Sequence, residues 1–195
     1  MFCIQYEKEY TLIEKKSKFI TRAFIVNSEE EVGRILDDIR KREKGATHNC
    51  YAYRILVNGA LIERKNDDGE PGGTAGAPML SVLAGEDIIN VLAVTTRYFG
   101  GIKLGSGGLV SAYKRGIVEV IKLSQKTAYI VRSKYLLSFN INEVRYIDSV
   151  VEKNNLIVLN KNFGEKVIFE LSLSSNEKTI VENLLSGRKM ALKVL

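Results

Sequence analysis

Ile88-Ile89-Asn90-Val91-Leu92-Ala93-Val94-Thr95-Thr96-Arg97-Tyr98 runs straight into Phe99-Gly100-Gly101-Ile102-Lys103-Leu104-Gly105-Ser106-Gly107-Gly108. The first stretch is apolar and β-branched almost throughout, the pattern of a central strand buried on both faces. The second is too glycine-rich for a strand and reads as an irregular segment over Gly100–Gly108. Beyond it Leu109, Val110, Tyr113, Ile117, Val120 and Ile121 recur at helical spacing, which predicts a helix over Leu109–Leu123. A buried strand, a glycine turn and a helix therefore stand in line.

Upstream, Tyr10–Val26 is β-prone with a bend near Ser17-Lys18. Asn27-Ser28-Glu29-Glu30-Glu31 then opens a helix: a short polar side chain caps free amides, and carboxylates suit the positive end of the dipole. Val32, Ile35, Leu36 and Ile39 continue it to Gly45. Asn49–Val57 alternates as a strand. Asn58-Gly59 is a tight-turn signal, and Leu61-Ile62 returns beside that strand. Asn66–Gly76 holds Gly69, Gly72, Gly73 and Gly76 with Pro71, and Pro78 lies just beyond, so no regular element is expected there. Met79, Leu80, Val82 and Leu83 predict a short helix ended by Gly85.

Ten of the sixteen glycines lie between Gly69 and Gly108, and only Gly164 and Gly187 lie beyond residue 125. The tail has its own pattern: strand Ala128–Ile141, helix Glu143–Lys153, strands Leu156–Leu159 and Val167–Leu173, helix Glu177–Leu185, strand Met190–Leu195. That is β-α-β-β-α-β, the ferredoxin-like order. The expectation is an α+β protein with domains at 1–126 and 127–195.

The 195 residues are 45% apolar and 27% charged, enough to bury a core and far from the composition of disorder. The net charge of +6 permits attraction to RNA, ribosomal surfaces or phosphorylated ligands without requiring any. Cys3 and Cys50 have neither zinc-site nor redox-pair spacing, which fits a reducing compartment. The N-terminal residues lack the apolar stretch of a signal peptide. No apolar run approaches bilayer length. A cytoplasmic protein without membrane partners is expected.

In Asn66–Pro78, Asp67, Asp68 and Glu70 crowd together. Such carboxylates can hold a hard cation or act as an acid/base pair. They can equally bond to turn amides. The alternation of an EF-hand loop and its closing glutamate are absent, so no metal and no cofactor is assigned. In Arg97–Gly108, free amides at a helix start attract anions, and Arg97 and Lys103 add positive charge. The segment is not a Walker loop, because Ser106 stands where lysine is needed. It is not a dinucleotide fingerprint, because Val110 stands in place of the last glycine. An anion cradle and a close-packed crossover both remain open. His48, the single histidine, is either a structural strand-edge residue or a general base. Tyr51, Tyr53, Tyr98 and Phe99 are either core aromatics or stacking platforms. Cys50, in an apolar setting, favours the unreactive thiol.

Several pieces, in this order, resemble the IMPACT family in its bacterial YigZ-like branch. They are Lys15-Lys16-Ser17-Lys18-Phe19-Ile20, Ala46-Thr47-His48-Asn49-Cys50-Tyr51-Ala52-Tyr53-Arg54, Asn66-Asp67-Asp68-Gly69-Glu70-Pro71, Gly73-Thr74-Ala75-Gly76, Thr96-Arg97-Tyr98-Phe99-Gly100-Gly101-Ile102-Lys103-Leu104-Gly105 and Gly107-Gly108-Leu109-Val110. The resemblance implies a first domain like the second domain of ribosomal protein S-five, a fold shared with elongation factor G and the GHMP kinases. It implies a ferredoxin-like second domain like those near the end of elongation factor G. Eukaryotic relatives regulate translation through stress-kinase activation, using an extra N-terminal domain. This chain is expected to start at the shared domain, so that mechanism is not carried over. The family often has lysine where Ala77 stands and arginine where Ser111 stands, and both differences lower the charge beside the cradle.

The leading expectation is a non-enzymatic, translation-associated regulator that binds RNA or the ribosome. Its ligand-binding candidates are Thr74, Arg97, Tyr98, Gly100, Gly101, Lys103, Gly105, Ser106, Gly107 and Gly108. The alternative is an enzyme for a phosphorylated or carboxylated, hence anionic, small molecule, with His48, Asp67, Asp68 and Glu70 as catalytic candidates. A protein-interaction module is the third reading.

Overall fold

Side-chain alternation along four strands decides how the first part of the chain is layered. In the computed structural model, which describes residues 1–188 and 190–195, the chain divides into two compact units, Met1–Tyr129 and Ile130–Leu195. The first contains β1 (Phe2–Ile4), β2 (Lys8–Glu14), β3 (Ser17–Ile25), α1 (Glu29–Arg42), β4 (His48–Val57), β5 (Ala60–Asn66), α2 (Gly76–Gly85), β6 (Val91–Tyr98), α3 (Gly105–Ser124) and β7 (Lys126–Ala128). Five strands form an antiparallel sheet in the order β2-β3-β6-β4-β5, and β1 pairs separately with β7.

Phe19 and Ala23 of β3, Cys50 and Ala52 of β4, and Val91 and Ala93 of β6 face α2 and α3, packing on Met79, Leu83, Leu109, Tyr113 and Ile117. Their alternate neighbours Tyr53, Ile55, Leu92 and Val94 pack on Val32, Leu36 and Ile39 of α1. The period of two along a strand forces this split. β6 lies in the middle and is buried along nearly its whole length, as its unbroken apolar sequence requires.

The two hairpins turn on left-handed residues, Lys15-Lys16 (φ 44° and 64°) and Asn58-Gly59 (φ 50° and 80°), the handedness that matches strand twist. α1 is capped by Ser28, whose hydroxyl accepts from the Glu31 amide at 3.2 Å. α3 starts at Gly105 rather than Leu109: the glycines Gly105, Gly107 and Gly108 form its first turn. Helix starts tolerate such residues because their amides have no intrahelical partners in any case.

The second unit contains β8 (Ser133–Phe139), α4 (Val144–Lys153), β9 (Ile157–Phe163), β10 (Val167–Leu173), α5 (Ser175–Leu185) and β11 (Ala191–Val194). The sheet order β11-β8-β10-β9 is antiparallel throughout, the ferredoxin-like arrangement. Ser174 and Glu177 form a reciprocal capping box at α5. Of the run expected as one strand over Ala128–Ile141, only Ser133–Phe139 forms a strand of the second sheet, and Ala128 ends β7 (Lys126–Ala128), which pairs with β1. Tyr135, Phe139 and Phe169 are buried with Ile147 and Val181 of the helices. The alternating neighbours Lys134, Leu136, Ser138, Ile168, Glu170 and Ser172 offer no aromatic platform. Among the described residues, no helix is long and apolar enough to cross a membrane.

Candidate functional site

The β-sheet of the first unit has one busy end. There β5 leaves the sheet at Asn66, β4 enters at His48, β6 ends at Tyr98 and β3 begins at Ser17. The backbone of Gly100 crosses so close to the β2–β3 turn that a Cβ on it would lie 2.0 Å from the Lys16 carbonyl carbon. Only glycine fits. The Gly100 amide donates to Ser17 Oγ at 3.1 Å and the Phe99 amide to Thr47 Oγ1 at 3.0 Å. The chain between β6 and α3 is therefore pinned to its neighbours at two points.

A cleft of about 410 Å³ opens here, lined by His48, Glu70, Arg97, Phe99, Lys103 and Ser106 together with Thr47, Pro71, Leu104, Gly105 and Leu109. The two glycine-rich segments thus meet across one cavity. Arg97 is not an open cation. Its Nη1 donates to Glu70 Oε1 at 2.6 Å, and both side chains are almost fully buried. Its guanidinium lies between the rings of Phe19 and Phe99, 5.3 and 5.5 Å from their centroids. Its Nε finds no acceptor among the described residues. Tyr113 reaches from α3 and donates to the same Glu70 oxygen at 2.8 Å. Burial pushes the Tyr113 hydroxyl far up its scale, and Cys50 and Glu70 push it further.

Behind Tyr113 the Cys50 thiol donates to the Asp67 carbonyl at 2.9 Å, with the tyrosine oxygen 3.2 Å away. Burial pushes this thiol up to about 12, so it holds its proton and is no nucleophile. His48 Nδ1 lies 2.8 Å from the Asp68 carbonyl. A carbonyl only accepts, so Nδ1 carries the hydrogen. Nε2 then faces Glu70 Oε2, 3.9 Å away.

The other acidic candidates are used by the backbone. Asp67 accepts from the amides of Gly73 (2.8 Å), Ala75 (3.0 Å) and Gly76 (2.7 Å), clamping the loop and the start of α2. Burial raises its carboxyl, but these amides outweigh burial and hold it below the usual range. Asp68 accepts from the Asn49 amide at 2.6 Å. Neither side chain lines the cleft. Thr74 is buried, donating to the Pro71 carbonyl at 2.6 Å. Tyr98 lies on the opposite face, where its hydroxyl bonds to Glu43, and Tyr51 and Tyr53 share that face. Gly101 continues the pinned turn with φ 84°. Lys103, Gly105 and Ser106 do line the cleft, and Gly107 and Gly108 follow in the first turn of α3.

Sequence reasoning missed Tyr113 as a partner of Glu70. Its signal was a hydroxyl on a buried helix stripe, which needs a partner. It also missed Lys15 and Arg115. They line a second groove of about 160 Å³ with Glu14, Ser111 and Gly108, on the other side of Leu104.

Residues 15–121 match the model of the Impact N-terminal domain. The chain belongs to the IMPACT family. It is 35% identical over 180 residues to IMPACT family member YvyE of Bacillus subtilis, spanning 90% of this chain and 81% of that protein. It is 31% identical over 169 residues to IMPACT family member YigZ of Escherichia coli, spanning 84% and 81%. A crystal structure described only as a hypothetical protein is similar over the full length of this IMPACT chain and 96% of its own, with 25% identity and a TM-score of 0.68.

Proposed function

We propose that this IMPACT-family chain is a translation-associated regulatory protein that binds RNA or the ribosome through the cleft end of its first unit. The observation that carries the reading is the exposed first turn of α3, with Lys103 lining the cleft and Lys15 and Arg115 lining the second groove. Free amides and cations at a helix start suit phosphate oxygens. Arg97, neutralised by Glu70, is not among the phosphate contacts. The excess positive charge of the chain supports the same partner class.

Ribosome co-sedimentation and RNA binding across a KCl series test it. Affinity falls steeply between about 50 and 200 mM salt, and Lys103→Ala and Arg115→Ala each lower the log–log slope by about 0.7–0.9. Binding indifferent to salt overturns the reading.

One observation favours a second reading, an enzyme for a phosphorylated or carboxylated small molecule: His48 Nε2 faces a buried carboxylate in a cleft of ligand size. Its test is phosphorus and proton NMR of phosphate monoesters and carboxylic acids incubated with the protein. Spectra that stay unchanged count against it.

A further inference from the structure

Phe99 stands at the mouth of the cleft with 47% of its surface exposed. Single exposed apolar residues are ordinary on protein surfaces. This one is unusual in being held. Its amide is tied to Thr47, the next amide is tied to Ser17, and its ring lies against a guanidinium that Glu70 locks in place. A half-exposed ring on a tethered backbone thus stands beside a cavity lined by Arg97, whose buried Nε has no acceptor among the described residues. The cavity also carries Lys103 and Ser106.

We infer that the cleft takes one unpaired nucleotide of a single-stranded RNA, its base stacked on Phe99 and its phosphate toward Lys103 and Ser106. This rests on the RNA reading above and narrows it. Every base has a π face, so such a platform is tolerant of sequence. A paired base is hidden in the helical stack, and the major groove of duplex RNA is too deep and narrow for side chains to read. An aromatic at the mouth of a cleft of this size therefore selects unpaired strands. The surrounding charge is mixed, with Glu70 and His48 on the wall, and a base edge has both donors and acceptors to meet it.

The test is fluorescence anisotropy with a labelled RNA octamer, single-stranded or annealed to its complement, against the whole chain. Wild type binds the single strand more tightly. Phe99→Ala and Phe99→Leu weaken single-strand binding by about 5- to 150-fold, while Phe99→Tyr retains it. Leucine keeps apolar cover over Arg97, and equal melting temperatures show that the loss is not unfolding. Equal affinity for the two forms, or a Phe99→Leu variant that binds like wild type, overturns the inference while leaving the RNA reading intact. Failure to bind either form at low salt overturns the inference and the RNA part of the reading together, and ribosome co-sedimentation tests the ribosome part.

Discussion

The carboxylate of Glu70 accepts a hydrogen bond from Arg97 at 2.6 Å, and the two residues come from the two glycine-rich segments of the first unit. The pair fastens those segments together inside the protein. Removing one partner strands the other as a buried charge, which costs about 3–5 kcal/mol. Urea unfolding of Arg97→Ala and Glu70→Ala will show losses of that size. The double variant will lose much less than the sum, because the two residues share one interaction.

Asp67 is the clamp at the other end of the first glycine segment. Asp67→Asn leaves one carbonyl oxygen where two carboxylate oxygens served three amides, and stability drops by about 1–3 kcal/mol. Because the folded carboxyl sits below its unfolded value of 3.8, its contribution is complete above that pH. It disappears as pH falls through the lower folded value. Acid unfolding curves of wild type and Asp67→Asn will therefore converge at low pH.

Two glycines separate packing from function. Gly100→Ala drives a Cβ into the Lys16 backbone and will cost at least about 3 kcal/mol, the upper range for overpacking. Gly107 has open space around it and no positive φ. Gly107→Ala will stabilise α3 by about 0.5–1 kcal/mol while weakening RNA binding, because its methyl covers the open turn. Melting curves and the anisotropy assay read the two effects separately. Unchanged affinity in Gly107→Ala would show that the turn takes no phosphate.

Cys50 will resist Ellman's reagent at pH 8 in the native protein and react once urea unfolds it. Its thiol holds its proton up to about pH 12 when folded, against 9.0 as the reference value. Between those limits the unfolded chain releases a proton that the folded chain keeps. Stability therefore falls with rising pH, at up to about 1.4 kcal/mol per unit. Cys50→Ala will show a shallower decline.

Much of the fold was legible because its signals are local. Ser28 before three glutamates marks α1, Asn58-Gly59 marks a hairpin, and the apolar run ending at Tyr98 marks the central strand. The start of α3 was displaced because glycines argue against helix by propensity, while a first turn asks only for free amides. β5 extends to Asn66 beyond its apolar start because Glu63, Arg64 and Lys65 lie on an exposed edge strand with no periodic signal. The site was harder to see. Arg97 reads as a cation beside a glycine turn, and nothing nearby in the sequence reveals that Glu70, 27 positions earlier, folds back to neutralise it. Asp67 and Glu70 look alike in the sequence, yet one is spent on amides and the other forms the wall of a cleft.

The Asn58-Gly59 hairpin turn lies at the opposite end of β4 from His48. It supplies a place to attach a fluorophore or graft a tag without touching the cleft. The Lys15-Lys16 turn, seated against Gly100, offers no such freedom. Surface immobilisation through residue 58 would present the cleft to solution in one orientation, the geometry a single-molecule binding measurement needs.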